Sequence, residues 1–119
     1  MTLKRKKTTK PGTDLLQGTL DMLVLQTLSL GDAHGYTIAR LIGQRSRAFL
    51  QVEQGSLYPA LNRLEDRSWI DSYWATSENN RRARFYRLTP KGRRQLQLES
   101  DQWLELVRAI GLVMRPVEE

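Results

Sequence analysis

The chain has 119 residues, 39% of them hydrophobic, no cysteine, and a formal net charge of +6. That length suits one compact domain, and the missing cysteines exclude disulfides and thiolate metal sites. No run of about 18 apolar residues is present to span a membrane, and the early lysines lack the apolar stretch of a secretory signal, so a cytoplasmic protein is expected. The charge is concentrated rather than spread. Lys4, Arg5, Lys6, Lys7 and Lys10 lie in an acid-free tail, whereas the remaining chain carries 14 basic against 13 acidic residues. Arg81, Arg82, Arg84, Arg87, Lys91, Arg93 and Arg94 form a second acid-free zone between Asn79 and Leu98. A nearly neutral body with two basic zones points to a polyanion held at defined places.

Residues 1–12 are polar, basic and closed by Pro11-Gly12, a composition that buries no core and predicts a flexible tail. Asp14 is a candidate cap for a helix over Leu15–Leu30. Leu16, Leu20, Leu23 and Leu28 fall near one face, with Met22, Val24 and Leu25 spread onto others, so this helix should be buried on several sides. Gly31-Asp32 ends it. His34-Gly35 opens a second helix, packing through Tyr36, Ile38, Ala39, Leu41 and Ile42 and fading between Gln44 and Arg47. A connection carrying Phe49 and Val52 follows.

A third helix is expected from Gly55-Ser56, with Ser56 as N-cap and Pro59 tolerated only within the first turn. Leu57, Leu61 and Leu64 at i, i+4 and i+7 give a buried stripe. The opposite face carries Gly55, Pro59, Asn62, Arg63 and Asp66, with Ser56 and Tyr58 on the flanks. Two β-prone runs, Ile70–Ala75 and Ala83–Leu88, then form a hairpin whose polar tip presents Arg81 and Arg82. Trp69 and Trp74 are expected as core or edge residues of this hairpin. Thr89-Pro90 reads as N-cap and N1 of a last helix, stopped by Pro116. In it Leu96, Trp103 and Ile110 recur every seven residues, as do Ser100, Val107 and Met114, the seam of a helix that pairs with another helix.

Three helices, a hairpin and a long helix make a mainly α fold with a small β-hairpin. The order is that of a winged helix-turn-helix (13–90) followed by a long C-terminal dimerisation helix (90–115). The third helix has one face for the core and one for the major groove, which admits a helix. Gly55 and Ser56 at its start allow close approach to phosphates; Asn62 and Arg63 reach for base edges; Tyr58 meets phosphate or sugar. Arg81 and Arg82 address the neighbouring backbone or minor groove. Leu96, Trp103, Val107, Ile110 and Met114 are the candidate dimerisation residues. The lone His34, without cysteines, cannot close a metal site and is expected to hydrogen-bond the turn beside Gly35. No nucleophile triad, phosphate loop or paired carboxylates appear, so neither an enzyme nor a bound cofactor is expected.

Four segments, Leu16-Gln17-Gly18-Thr19-Leu20-Asp21, His34-Gly35-Tyr36-Thr37-Ile38, Gly55-Ser56-Leu57-Tyr58-Pro59-Ala60-Leu61-Asn62-Arg63-Leu64-Glu65 and Arg84-Phe85-Tyr86-Arg87-Leu88-Thr89-Pro90-Lys91-Gly92, resemble the PadR family of bacterial transcriptional regulators. The resemblance covers roughly residues 14–114 and is closest to the short-tailed branch, with one C-terminal helix. It implies a two-fold dimer on a pseudo-palindromic operator of double-stranded DNA, usually as a repressor, joined through the first and last helices. It further implies, for some members, a small aromatic effector at the dimer centre, where Trp103 is the candidate ligand contact. Two other readings compete: a winged-helix module that binds protein, and an enzyme or ligand carrier resting on Trp103 alone. The basic hairpin and the absence of large apolar anchors on the third helix weigh against the former.

Overall fold

Seven elements follow one another in the computed structural model, which describes residues 17–117. They are α1 (Gln17–Ser29), β1 (Ala33–His34), α2 (Gly35–Arg45), α3 (Gln54–Asp66), β2 (Ile70–Thr76), β3 (Arg82–Leu88) and α4 (Pro90–Met114). The basic tail and the Asp14, Leu15 and Leu16 start of the first helix lie outside the described residues. Among the described residues, no helix is long and apolar enough to cross a membrane.

The apolar spread around α1 is used as expected. Leu20, Val24, Leu25 and Leu28 are all buried, because α2, α3 and α4 each pack against this helix. Ile38 and Ile42 face it from α2, and Leu57, Ala60, Leu61 and Leu64 from α3. Tyr36 departs from the expected packing: it is 65% exposed, since it stands on the outer side of the first turn of α2.

The hairpin is part of a three-stranded antiparallel sheet in the order β1-β3-β2. β1 was not expected. Its two residues pair Ala33 with Tyr86 and His34 with Phe85, so their extended form comes from a partner some fifty positions away. β2 and β3 run in register from Ile70–Leu88 to Thr76–Arg82. Ile70, Tyr86 and Leu88 close the core, and beyond them the two strands project as a wing.

α3 starts earlier than its sequence signals suggest. Glu53 is the N-cap, without a side-chain bond, and Ser56 lies inside the helix. Pro59 therefore sits in the second turn, past the position where its missing N–H is harmless. Gly55, four residues back, is exposed, so the carbonyl that loses its donor can turn to water.

The start of α4 matches the sequence reading closely. The Thr89 hydroxyl accepts the Gly92 N–H at 2.9 Å and donates to the Ser68 carbonyl at 2.7 Å, while the Thr89 N–H donates to the Trp69 carbonyl. Gly92 has to be glycine, because a Cβ there would collide with that same Trp69 carbonyl. Leu96 reaches the core, but from Asp101 to Val117 every residue is exposed.

Candidate nucleic-acid interface

The amphipathic spacing of α3 leaves Gly55, Ser56, Tyr58, Pro59, Asn62 and Asp66 facing solvent while its leucines are buried. Tyr58 stands on the side nearest α2 and the sheet. A Cβ on Gly35 would meet the Tyr58 hydroxyl and lie 2.9 Å from its Cζ. The absence of a side chain at Gly35 thus lets Tyr58 lie across the start of α2, fixing the ring while keeping it accessible.

Arg63 does not share this surface. Its guanidinium turns toward α1 and holds the Asp21 carboxylate, Nη2 to Oδ1 at 2.8 Å, with the two side chains only 29% and 13% exposed. The expected base-reading arginine is instead a brace between α1 and α3. The helical pattern placed Arg63 on the polar side of α3, but its α1 partner is 42 positions away and is not marked by any local signal.

The wing is joined to α3 by a polar network. Ser72 donates to Glu65 at 2.7 Å, and Arg84 donates to Ser72 at 2.9 Å and to both Glu65 oxygens at 3.3 Å. The far face of the wing is tied to the turn between α1 and β1. There Tyr73 donates to Asp32 at 2.6 Å, which raises its phenol pKa, and Arg87 pairs with Asp71 at 3.0 Å. His34 stands edge-on to Phe85, with its Nε2 3.3 Å from the Thr37 hydroxyl and 3.8 Å from Glu78. Its hydrogen-bond partner is thus a side chain in the first turn of α2, and as N-cap of that helix it makes no side-chain bond to the backbone.

Arg81 is exposed in the hairpin tip, where its carbonyl accepts the Ser77 N–H at 2.7 Å. Arg82 is not in the tip. It is the first residue of β3, and its guanidinium lies 5.0 Å from the centre of the Trp74 ring. Trp74, expected as core or edge, lies on the edge strand β2 and is 57% exposed. Sequence reasoning also missed Glu65, Ser72 and Arg84, although the alternation Ile70, Ser72, Trp74, Thr76 would have put the last three of these side chains on the α3 side of the wing.

On α4, Leu96 is buried within its own chain, whereas Trp103, Val107, Ile110 and Met114 are exposed. Around the helix these positions fall on one side, with Leu104 and Leu106 flanking them and also exposed. A cavity of about 360 Å³ lies where α4 leaves α1, lined by Met22, Leu23, Leu50, Leu96, Ser100 and Trp103 among others.

The chain matches the family described as the Transcriptional regulator PadR-like family over residues 24–98. It is similar to a transcriptional regulator from Clostridium thermocellum, with 29% identity and a TM-score of 0.75, covering 87% of this chain and 100% of the other. A PadR family transcription regulator from Clostridium difficile is 28% identical with a TM-score of 0.70, over 82% and 99% of the two chains. A PadR family transcriptional regulator from Eggerthella lenta is 30% identical with a TM-score of 0.72, over 85% and 86%. The chain belongs to the PadR-like family, and is accordingly a winged-helix, DNA-binding regulator of transcription and not an enzyme.

Proposed function

We propose that the chain is a cytoplasmic, homodimeric repressor that recognises a pseudo-palindromic operator in duplex DNA and is released from it by a small aromatic effector. The observation that carries the DNA side of this reading is the solvent face of α3. Gly55, Ser56, Asn62 and Tyr58 form a surface without large aliphatic anchors, beside a wing that carries Arg81, Arg82 and Arg84. Gly55 and Ser56 bring backbone to phosphate, Asn62 reads base edges, and Tyr58 contacts the backbone. Arg63 acts in this reading only by holding α3 to α1.

Residues 13–90 serve as the DNA-binding domain, and residues 90–115 join two copies. An exposed apolar strip on a protruding helix is costly in water unless another surface covers it, and a second α4 has the matching seven-residue spacing. Two-fold pairing would set the α3 helices in successive major grooves, roughly 34 Å apart. The cavity beside Trp103 would offer an aromatic effector an apolar bed with the Ser100 hydroxyl at its rim.

Selection of bound duplexes from random DNA tests the reading directly. A recovered motif with two-fold symmetry is expected. Replacing Arg81 and Arg82 by Ala should weaken binding to every sequence alike and reduce the slope of log affinity against log salt by about two. A protein indifferent to all duplexes at low salt would end the proposal.

A further inference from the structure

The two faces of the wing differ in how completely the chain satisfies them. On the outer face Asp71 is paired with Arg87, and Tyr73 with Asp32. On the α3 side, Ser72 and Arg84 are engaged with Glu65. Two residues further along β2, on that same side, stands Trp74. Its only ring neighbour among the described aromatic and cationic groups is Arg82, which is one diagonal step away across the ladder from the Trp74–Arg84 pair. Among the described residues the Arg82 side chain makes no hydrogen bond or ion pair. A large indole is thus left 57% exposed on the side of the wing facing the α3 surface, with a cation stacked on it whose donors are unused.

From this geometry, we infer that Trp74 and Arg82 act together as a clamp on the sugar–phosphate backbone bordering the groove that α3 enters. The inference rests on the DNA-binding reading above. Charge selects the partner: Arg82 stacks on the indole, Arg84 is its cross-strand neighbour, and Glu65, the acid that meets this side of the wing, is already taken by Arg84. The indole offers a flat apolar face for deoxyribose and one N–H for a phosphate oxygen. Its ring also restrains the Arg82 side chain, so the guanidinium meets phosphate with less freedom to lose. Such a contact positions the wing and carries no base preference.

The test compares the full-length wild type with Trp74→Ala, Trp74→Phe and Arg82→Ala, on a selected operator and on an unrelated duplex. Trp74→Ala is expected to weaken both by a similar factor of about tenfold, the size of one lost hydrogen bond to a charged group. Trp74→Phe, which keeps the flat face and loses the N–H, should fall in between. Arg82→Ala should reduce the salt slope by about one. DNA should protect the Trp74 contribution to fluorescence, taken as the difference between wild type and Trp74→Phe, from quenching by acrylamide. If wild type binds DNA while the Trp74 variants bind equally well and the indole stays quenchable, this inference falls alone. The same holds if Trp74→Ala instead changes the sedimentation of the free protein, which would assign the surface to a second copy. If wild type binds no duplex, the functional reading falls and takes this clamp with it.

Discussion

Arg63 and Asp21 join the third helix to the first through a two-point contact, Nη2 to Oδ1 at 2.8 Å and Nε to Oδ2 at 3.5 Å. The pair is mostly covered, so its worth lies between that of an exposed ion pair and a buried one. Arg63→Ala and Asp21→Ala should each lower unfolding stability by about 1–2 kcal/mol. The double variant should lose about 1 kcal/mol less than the two added together. Urea denaturation of the four proteins measures this. Strict additivity would mean the two groups do not act on each other, and a changed base preference in Arg63→Ala would return this arginine to the reading surface.

Gly35 and Tyr58 should behave as one unit. Alanine is ordinarily the better helix residue by about 1 kcal/mol, yet at position 35 its methyl group needs the space of the Tyr58 ring. Gly35→Ala is expected to cost about 1–3 kcal/mol by overpacking. In a Tyr58→Ala background the same change should be neutral or stabilising. Thermal unfolding of the cycle decides it, and an equal loss in both backgrounds would exclude the tyrosine as the cause.

At Gly92 the obstacle is backbone, not a side chain that can swing aside. The Trp69 carbonyl carbon would lie 2.8 Å from an added Cβ, so Gly92→Ala should cost about 3 kcal/mol, the upper end for overpacking. Thr89→Ala should cost about 1 kcal/mol through loss of the cap, and Thr89→Ser should restore most of it. Chemical denaturation with each variant is sufficient to check both values.

Val107 touches solvent in the single chain and lies at the centre of the apolar strip on α4. Val107→Glu is expected to leave helix content unchanged by circular dichroism while sedimentation shows single chains. DNA affinity should fall with it, because two half-sites would no longer be held together. An intact dimer in this variant would move the pairing surface elsewhere.

Alkaline pH should destabilise the fold through two phenols. Tyr73 is raised above its ordinary 10.0 mainly by its hydrogen bond to Asp32, and Tyr86 mainly by burial. Both hold their proton more firmly when folded, so their contribution is complete below about pH 10 and is lost as pH rises through the higher folded values. The urea midpoint should therefore drop above about pH 10, and less steeply in Tyr86→Phe. An unchanged slope in that variant would remove Tyr86 from the account.

Features carried by local chemistry were legible in the order of the amino acids alone. The Leu57, Leu61, Leu64 stripe, the Thr89-Pro90 start of α4 and the two strands of the hairpin, each to within one residue at the tip, all arise from neighbours within a turn or a ladder step. What escaped notice depended on distant partners. β1 is two residues long and is a strand only because β3 lies beside it. Arg63 looks like any arginine on a polar helix face until the fold brings Asp21 within reach. Arg82 and Trp74 were each visible in the sequence, but their stacking required knowledge of the register between β2 and β3. Ser56 was a sound cap candidate that lost its place because the helix begins at Gln54.

The Glu65–Ser72–Arg84 bridge has a mechanical corollary. With α3 and the wing pinned to each other at their closest approach, the opening between them behaves like the jaw of a caliper whose screw has been tightened. A stimulus arriving at the far end of α4 then has little purchase on the shape of either jaw. In the proposed dimer its leverage would lie in the distance and tilt between two such jaws, a rigid-body adjustment that leaves every contact inside each one as it was.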